Sequence, residues 1–152
     1  KQKLKETKAE LAGEMSGHIF FKERWYGFDD ALYTAARLLE IVSKSNKSCS
    51  EIFDEFPVNL STPEININFE KHGQQFEAMA KLSTNINFPG ATINTIDGVR
   101  VDYENCWGLV RASNTTPCLV LRFEAFDNEL LNKIKAKFIQ WLEINSISTG
   151  SL

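Results

Sequence analysis

The chain has 152 residues, of which 43% are hydrophobic and 24% charged, as in a globular chain of one ordinary domain or a small domain with an appendage. Its net charge of −3 gives no overall attraction to nucleic acid or to an anionic membrane, and no apolar run approaches the roughly 20 residues that span a bilayer. Three cysteines, an odd number without metal-ligand spacing, predict a reducing and therefore cytoplasmic location.

The first 48 residues predict short strands followed by a longer helix. Residues 1–12 indicate the end of a helix and a short strand, and His18–Phe21 indicates another strand. Asp29 and Asp30 stand where a helix N-cap and a first-turn acid are favoured. The helix that follows has one apolar face, formed by Leu32, Ala35, Ala36, Leu39 and Val42.

A break in the chain is predicted at two prolines. Residues 49–56 indicate a second short helix, which Pro57 ends. Residues 57–63 contain both prolines and no periodicity, so we interpret them as a connector. We expect residues 1–57 to hold only part of a parallel-sheet domain, which should leave an apolar face exposed.

After the connector the pattern predicts the element order β-α-β-β-β-β-α. Alternating apolar residues at 65–69 indicate a strand, and Ile93 and Ile96 are placed in another, after which Asp97-Gly98 predicts a hairpin turn. Two further strands should form a hairpin around residues 111–117. Helices are marked by Phe76, Met79, Ala80 and Leu82, and, after an Asp127 cap, by Leu130, Leu131, Ile134, Phe138 and Leu142.

This order predicts an α+β fold. One face of a mostly antiparallel sheet must be covered by the two helices. The unit would be preceded by an incomplete piece of an α/β domain in residues 1–57.

The polar stretch Arg111-Ala112-Ser113-Asn114-Thr115-Thr116-Pro117 predicts an anion-binding turn. It places a guanidinium, three hydroxyls and an amide between two apolar runs. Such a turn can aim several backbone N–H groups at one point, and the arginine fork fits phosphate oxygens. The same composition also suits an ordinary surface turn, and both interpretations stay open at this point.

A second polar stretch, Gly13-Glu14-Met15-Ser16-Gly17-His18, is bracketed by glycines. Together with residues 111–117 it resembles the bacterial phosphomannomutase/phosphoglucomutase branch of the α-D-phosphohexomutases. Met15 and the Ser113–Thr116 sequence differ from the pattern usual in phosphoglucosamine mutases. Further matching blocks cover nearly the whole chain: Phe20–Trp25, Phe28–Asp30, Ser61–Asn66, Asp97–Arg100 and Trp107–Gly108.

The resemblance implies a domain assignment. Residues 1–57 would be the C-terminal part of the third domain of a four-domain enzyme, and residues 58–152 its fourth, TATA-binding-protein-like domain. The phosphoserine loop and the magnesium loop of the first two domains have no counterpart in the sequence. We therefore expect this segment alone to bind ligand without catalysing the reaction.

The resemblance also implies roles for residues of both loops. Arg111, Ser113, Asn114 and Thr115 would bind the substrate phosphate. Glu14 and Ser16 would read the 3- and 4-hydroxyls of the sugar. The resemblance fixes no catalytic residue, although His18 is a candidate for proton transfer as well as for binding, and it implies no metal ligand in this chain.

The implied activity is the interconversion of hexose 1-phosphate and hexose 6-phosphate through a phosphoserine and a bisphosphorylated sugar. Mannose and glucose phosphates would be substrates, Mg²⁺ the metal and glucose 1,6-bisphosphate the activator. The missing N-terminal domains would be the partners of this segment. The alternative is a stand-alone phosphosugar-binding module without catalysis.

Overall fold

The computed structural model describes residues 2–14 and 16–150, so Met15 lies outside the described residues. The chain divides into two compact units, residues 1–57 and residues 58–152. No helix in the described ranges is long and apolar enough to cross a membrane.

The first unit combines helices with a two-stranded sheet. Its elements are α1 (Gln2–Thr7), β1 (Leu11–Gly13), β2 (Ile19–Phe21), α2 (Ala31–Lys44) and α3 (Cys49–Phe53). Strands β1 and β2 are antiparallel, with Ala12 opposite Phe20, so the strand pair described in this unit is not the parallel one that we expected. The short second helix ends at Phe53 and not at the expected Phe56, because the chain turns there and the Phe56 N–H donates to the Phe53 carbonyl at 3.1 Å.

The start of α2 differs in one detail from the prediction. Asp30 is the N-cap, and its side chain accepts a hydrogen bond from the Tyr33 N–H at 3.0 Å. No acidic residue lies in the first turn of α2, so that part of the prediction is wrong. Asp29 precedes the cap and contacts His18 instead.

The predicted apolar face of α2 is largely exposed to solvent. No side chain of α2 is buried, and Leu32 and Leu39 are 86% and 67% exposed. Ala35 and Ala36, on the same face, are also exposed. We call these four residues the open face of α2; the expectation of an exposed apolar face in this unit is confirmed.

The second unit is an antiparallel sheet with two helices. Its elements are β3 (Leu60–Ser61), β4 (Ile65–Asn68), α4 (Gln74–Thr84), β5 (Thr92–Asn94), β6 (Val99–Asp102), β7 (Cys106–Ala112), β8 (Cys118–Ala125) and α5 (Asn128–Ile144). The strands pair in the order β3-β8-β7-β6-β5, and β4 also pairs with β8. Every recorded pair is antiparallel, and the element order from β4 onward is the predicted one.

Part of the predicted connector is a strand. Leu60 and Ser61 pair with Ala125 and Glu124 at one end of β8, whereas β4 pairs with the other end. Strands β3 and β4 thus act as one broken edge strand. Pro63 lacks the N–H that an uninterrupted ladder would use, which explains the break and the lack of periodicity in the sequence.

Helices α4 and α5 pack on β7 and β8 and close the core. The buried side chains of α5 are Ile134, Phe138, Trp141 and Leu142, and its N-cap is Asp127, as predicted. Gly108 of β7 lies under Phe138, and a Cβ there would come within 2.5 Å of the Phe138 ring. The sheet and helix therefore meet at a position where only glycine fits without rearrangement.

The β5–β6 hairpin is present, although its first strand is shorter than predicted. Strand β5 ends at Asn94, so Ile96 lies in the loop. The Asn94 side chain accepts a hydrogen bond from the Ile96 N–H at 3.0 Å, which forms a side-chain turn in place of another ladder pair.

Candidate functional site

The predicted phosphate-binding stretch is divided between a strand and a loop. Arg111 and Ala112 are the last two residues of β7, and residues 113–117 form the loop to β8. Arg111 lies opposite Val120 in the ladder. Because Val110 and Gly108 face the helices, strand alternation places the Arg111 side chain on the opposite, helix-free face of the sheet.

The β5–β6 loop approaches Arg111 closely. Gly98 has a φ of +78°, and a Cβ there would overlap the Val110 carbonyl and lie 2.7 Å from the Arg111 Cα. This contact brings Asp97 beside Arg111, with 3.9 Å between Oδ2 and Nη1. Asp97 is 73% exposed, and such pairs contribute about 0–1 kcal/mol, so a stronger anion can displace the carboxylate.

Ser113 organises the loop from within. The Ser113 side-chain oxygen accepts hydrogen bonds from the N–H groups of Thr115 and Thr116, at 3.4 and 3.2 Å, and lies 2.8 Å from the Thr116 hydroxyl. Ser113 is buried, whereas Asn114, Thr115 and Thr116 are exposed. Ser113 thus shapes the turn, and its neighbours present their polar groups to solvent.

A buried glutamine supports this loop from α4. Gln75 is fully buried, and its side-chain amide donates to the carbonyls of Ser113 and Thr116, at 3.2 and 3.3 Å. Gln75 is not among the site residues predicted from the sequence. Its spacing could have indicated that it is buried. Gln75, Met79 and Leu82 are the buried residues of α4, and they lie at i, i+4 and i+7 on one helix face.

The Gly13–His18 loop lies in the first unit, between β1 and β2. The Glu14 N–H donates to the His18 carbonyl at 2.9 Å, and the Gly17 N–H donates to the Glu14 carbonyl at 3.0 Å. Gly17 has a φ of +88°, which explains the glycine. The Ser16 hydroxyl donates to the Glu14 carboxylate at 3.4 Å, so these two exposed side chains are adjacent.

His18 has a partner that the sequence did not reveal. Its Nδ1 lies 2.5 Å from an oxygen of Asp29, and the Phe20–Asp29 backbone bridge holds the two segments together. Both side chains are partly exposed. A carboxylate at Nδ1 fixes the orientation of the imidazole and leaves Nε2 available for a ligand.

Charged residues join α2 to the chain that follows β2. The Arg37 guanidinium donates to Glu23 and lowers the pKa of that carboxyl. Lys44 and Arg24 both donate to Glu40 and lower its pKa to about 2. These groups are solvent-accessible, so the pairs stabilise the contact between α2 and the segment after β2 only modestly.

The described ranges contain no group of three or more His, Cys, Asp or Glu side chains placed to hold a metal ion. The polar groups of the two loops are instead hydroxyls, amides, carboxylates and one guanidinium. Such groups suit hydrogen bonding to a sugar and to an anion.

Family models match both units. Residues 1–59 match the model described as phosphoglucomutase/phosphomannomutase, alpha/beta/alpha domain III, and residues 64–140 match that of the C-terminal domain IV. The chain belongs to the phosphoglucomutase/phosphomannomutase family. The resemblance expected from the two loops is therefore confirmed.

Relatives within this family are similar over most of the chain. A phosphomannomutase/phosphoglucomutase of Pseudomonas putida is 58% identical over 91% of this chain and 30% of its own length. A phosphoglucomutase of Neisseria gonorrhoeae is 50% identical over 95% of the chain and 32% of its own length. The chain thus spans about a third of the length of the curated relatives it matches.

A solved structure of the same family has the same fold. The crystal structure of a phosphoglucomutase/phosphomannomutase family protein from Burkholderia thailandensis superimposes with a TM-score of 0.84 at 45% identity. The match covers 98% of this chain and 31% of that chain. By contrast, a probable phosphoglucosamine mutase of Methanocella arvoryzae is 31% identical over 88% of the chain.

The structure groups the predicted site residues by unit. Ser113, Asn114 and Thr115 share one loop next to Arg111, and Glu14, Ser16 and His18 share the other. Two residues were missed, Gln75 and the His18 partner Asp29. The sequence predicts Asp29 as part of a helix start, because a carboxylate just before a helix carries the same sequence signal as an N-cap.

Proposed function

We propose that this chain is the C-terminal portion of a phosphomannomutase/phosphoglucomutase that interconverts hexose 1-phosphates and hexose 6-phosphates. Residues 1–57 would be the end of the third domain, and residues 58–152 the fourth domain. The 113–117 loop with Arg111 binds the substrate phosphate, and the Gly13–His18 loop binds sugar hydroxyls. This proposal extends the family assignment to an activity and to specific residues.

The observation that carries the proposal is the arrangement at the end of the β7–β8 hairpin. Arg111 stands beside a tight polar loop, and its recorded ion pair, with Asp97, is long and exposed. A guanidinium in this setting can take a phosphate in a bidentate contact. Asn114 and Thr115 add exposed donors within the same loop.

The sugar would be read by paired polar groups. The Glu14 carboxylate can accept from two neighbouring hydroxyls of a pyranose, and the Ser16 hydroxyl can donate and accept. These groups would contact the 3- and 4-hydroxyls, which glucose and mannose present alike. One loop could therefore serve both sugars, since they differ at the 2-position.

His18 would bind the ligand through Nε2, and it is a candidate for proton transfer. Asp29 would hold the ring in place at Nδ1. In the complete enzyme a phosphoserine outside this chain would exchange its phosphoryl group with the sugar, with glucose 1,6-bisphosphate as intermediate and activator. Mg²⁺, also held outside this chain, would supply charge stabilisation for that transfer.

The test is a titration of the 152-residue chain with glucose 1-phosphate, followed by ¹⁵N NMR, together with the mutase rate of the full-length protein that carries the chain. We expect shifts at residues 111–116 and a dissociation constant on the order of millimolar. Arg111→Ala should weaken binding by about tenfold or more, because a charge-assisted hydrogen bond is lost. Lys81→Ala, an exposed charge on α4, is the matched control and should bind normally.

Three outcomes would contradict the proposal. If full-length protein bound no hexose phosphate, the phosphate assignment would be wrong. If it bound hexose phosphate but showed no Mg²⁺-dependent conversion of the 1-phosphate to the 6-phosphate, the alternative of a binding module without catalysis would be supported. Equal losses in Arg111→Ala and Lys81→Ala would indicate that general charge, and not the loop, attracts the ligand.

A further inference from the structure

Gln75 is a buried polar side chain whose hydrogen bonds converge on the 113–117 loop. It is 0% exposed, and a primary amide in such a place must find partners. Its carbonyl oxygen accepts from the Gly73 N–H at 2.8 Å. Its two N–H groups are used by Ser113 O and Thr116 O, so the amide is well satisfied.

The position of Gln75 would suit an apolar residue if packing alone mattered. Gln75 shares the buried face of α4 with Met79 and Leu82. An apolar side chain there would leave the partly buried Gly73 N–H and the Ser113 carbonyl with fewer partners. The choice of an amide at this position is therefore explained by the loop and not by the core.

The bond to Ser113 O determines where the next backbone donor points. The peptide that links Ser113 to Asn114 is planar and trans, so its C=O and N–H point in opposite directions. With Ser113 O held toward Gln75, the Asn114 N–H is directed away from α4. No residue of the described chain accepts a hydrogen bond from it.

The bond to Thr116 O fixes the far end of the same turn. Thr116 O also accepts from the Cys118 N–H at 2.8 Å, and the following peptide nitrogen, of Pro117, carries no hydrogen. The N–H groups of Thr115 and Thr116 are directed to the Ser113 hydroxyl. Asn114 N–H is thus the backbone donor of the turn that is left for a ligand.

We propose that Gln75 is a positioning residue for phosphate binding: it holds Ser113 O and Thr116 O toward α4 and thereby presents the Asn114 N–H to a phosphate oxygen. This inference rests on the proposed function of the loop. It adds a backbone donor and the residue that orients it to the side chains predicted from the sequence.

The test variant is Gln75→Met, which keeps the length of the side chain and removes its hydrogen bonds. Gln74→Met is the residue-matched control, because Gln74 lies in the same turn and its side chain accepts from the Lys71 N–H instead. Met79→Ala is the stability control, since it creates a cavity on the same buried face of α4. All are compared in the 152-residue chain with glucose 1-phosphate, by ¹⁵N NMR and by affinity.

In the wild-type chain we expect the Asn114 amide resonance to move downfield as glucose 1-phosphate binds. In Gln75→Met this shift should be lost and affinity should fall roughly tenfold, because a displaced donor no longer meets the phosphate. Gln74→Met and Met79→Ala should keep the Asn114 shift and bind within about twofold of wild type. Both variants are measured at a temperature at which they are folded.

Normal affinity and a normal Asn114 shift in Gln75→Met, with binding lost in Arg111→Ala, would overturn the inference while leaving the proposed function intact. A loss of the shift in Met79→Ala equal to that in Gln75→Met would also overturn it, because general loosening of α4 would then explain the effect. Failure of full-length wild-type protein to bind glucose 1-phosphate would instead refute the proposed function, and the inference with it.

Discussion

The two units of the chain carry helices of similar amphipathic design and bury them to very different extents. In α5 the apolar residues Ile134 and Phe138 are at most 1% exposed. In α2 the corresponding residues Leu32 and Leu39 are 86% and 67% exposed. The difference shows that periodicity specifies which face of a helix is apolar, whereas burial depends on whether another element covers that face.

The sharpest test of this contrast is truncation of one large side chain in each helix. Phe138→Ala should lower the free energy of unfolding of residues 58–152 by about 3–5 kcal/mol, because the ring packs against Phe88, Phe123 and Gly108. Leu39→Ala should lower that of residues 1–57 by no more than about 0.5 kcal/mol. Urea unfolding followed by NMR signals from each unit gives both values.

An equal loss in the two variants would break the comparison. It would mean that the open face of α2 is covered in solution, by self-association of this unit. Unfolding at several protein concentrations would test this explanation. Only self-association makes the stability of Leu39→Ala and of the wild type depend on protein concentration.

A smaller effect is expected from adding one methyl group in each unit. Gly108→Ala would place a Cβ 2.5 Å from the Phe138 ring and 2.9 Å from Phe123, so it should destabilise by about 1–3 kcal/mol. Gly13→Ala meets no atom within 4 Å, and its φ is not positive, so its cost should stay within about 0.5 kcal/mol.

Thermal unfolding monitored by near-ultraviolet circular dichroism would measure the Gly108 effect, because the aromatic cluster gives the signal. A Gly108→Ala protein as stable as wild type would show that α5 can move away from the sheet. The second unit would then be less tightly packed than the contrast with α2 implies.

The element order of the second unit could be predicted from the sequence because its strands alternate and its turns contain strong breakers. The short strand Leu60–Ser61 could not, since two residues beside a proline have no period to detect. The sequence predicts Ile96 to lie in the strand because it is apolar and directly precedes the Asp97-Gly98 turn, although its spacing of three from Ile93 does not match a strand period. The Asn94 side chain ends the strand before it, through a local contact that propensity does not reveal.

The candidate site was predicted only in the part formed by local sequence. Ser113, Asn114 and Thr115 are neighbours in the chain, so their shared loop could be inferred. Gln75 lies 38 residues from Ser113. A polar residue on a buried helix face can be recognised as unusual only when it is known which face of the helix is buried. Its hydrogen-bond partner depends on the tertiary structure and cannot be inferred from the local sequence.

The smallest effect that we predict is a loss of stability of residues 1–57 at low pH. The pKa of Glu40 is lowered from 4.5 to about 2, mainly by Lys44 and then by Arg24, and that of Glu23 is lowered by Arg37. The folded unit thus binds protons less readily than the unfolded chain, so this stabilisation is present above about pH 4.5 and is lost as the pH falls toward 2.

Glu40→Gln should therefore flatten the decline in stability of residues 1–57 between pH 4.5 and 2, measured by amide hydrogen exchange in α2. High salt should weaken the wild-type dependence in the same way, because the groups are exposed and screened. An unchanged slope in Glu40→Gln would show that these pairs contribute little to holding α2 against the segment that follows β2. The stacking of Trp25 on Tyr33, with nearly parallel rings whose centroids are 4.2 Å apart, would then be the contact to test next between these two segments.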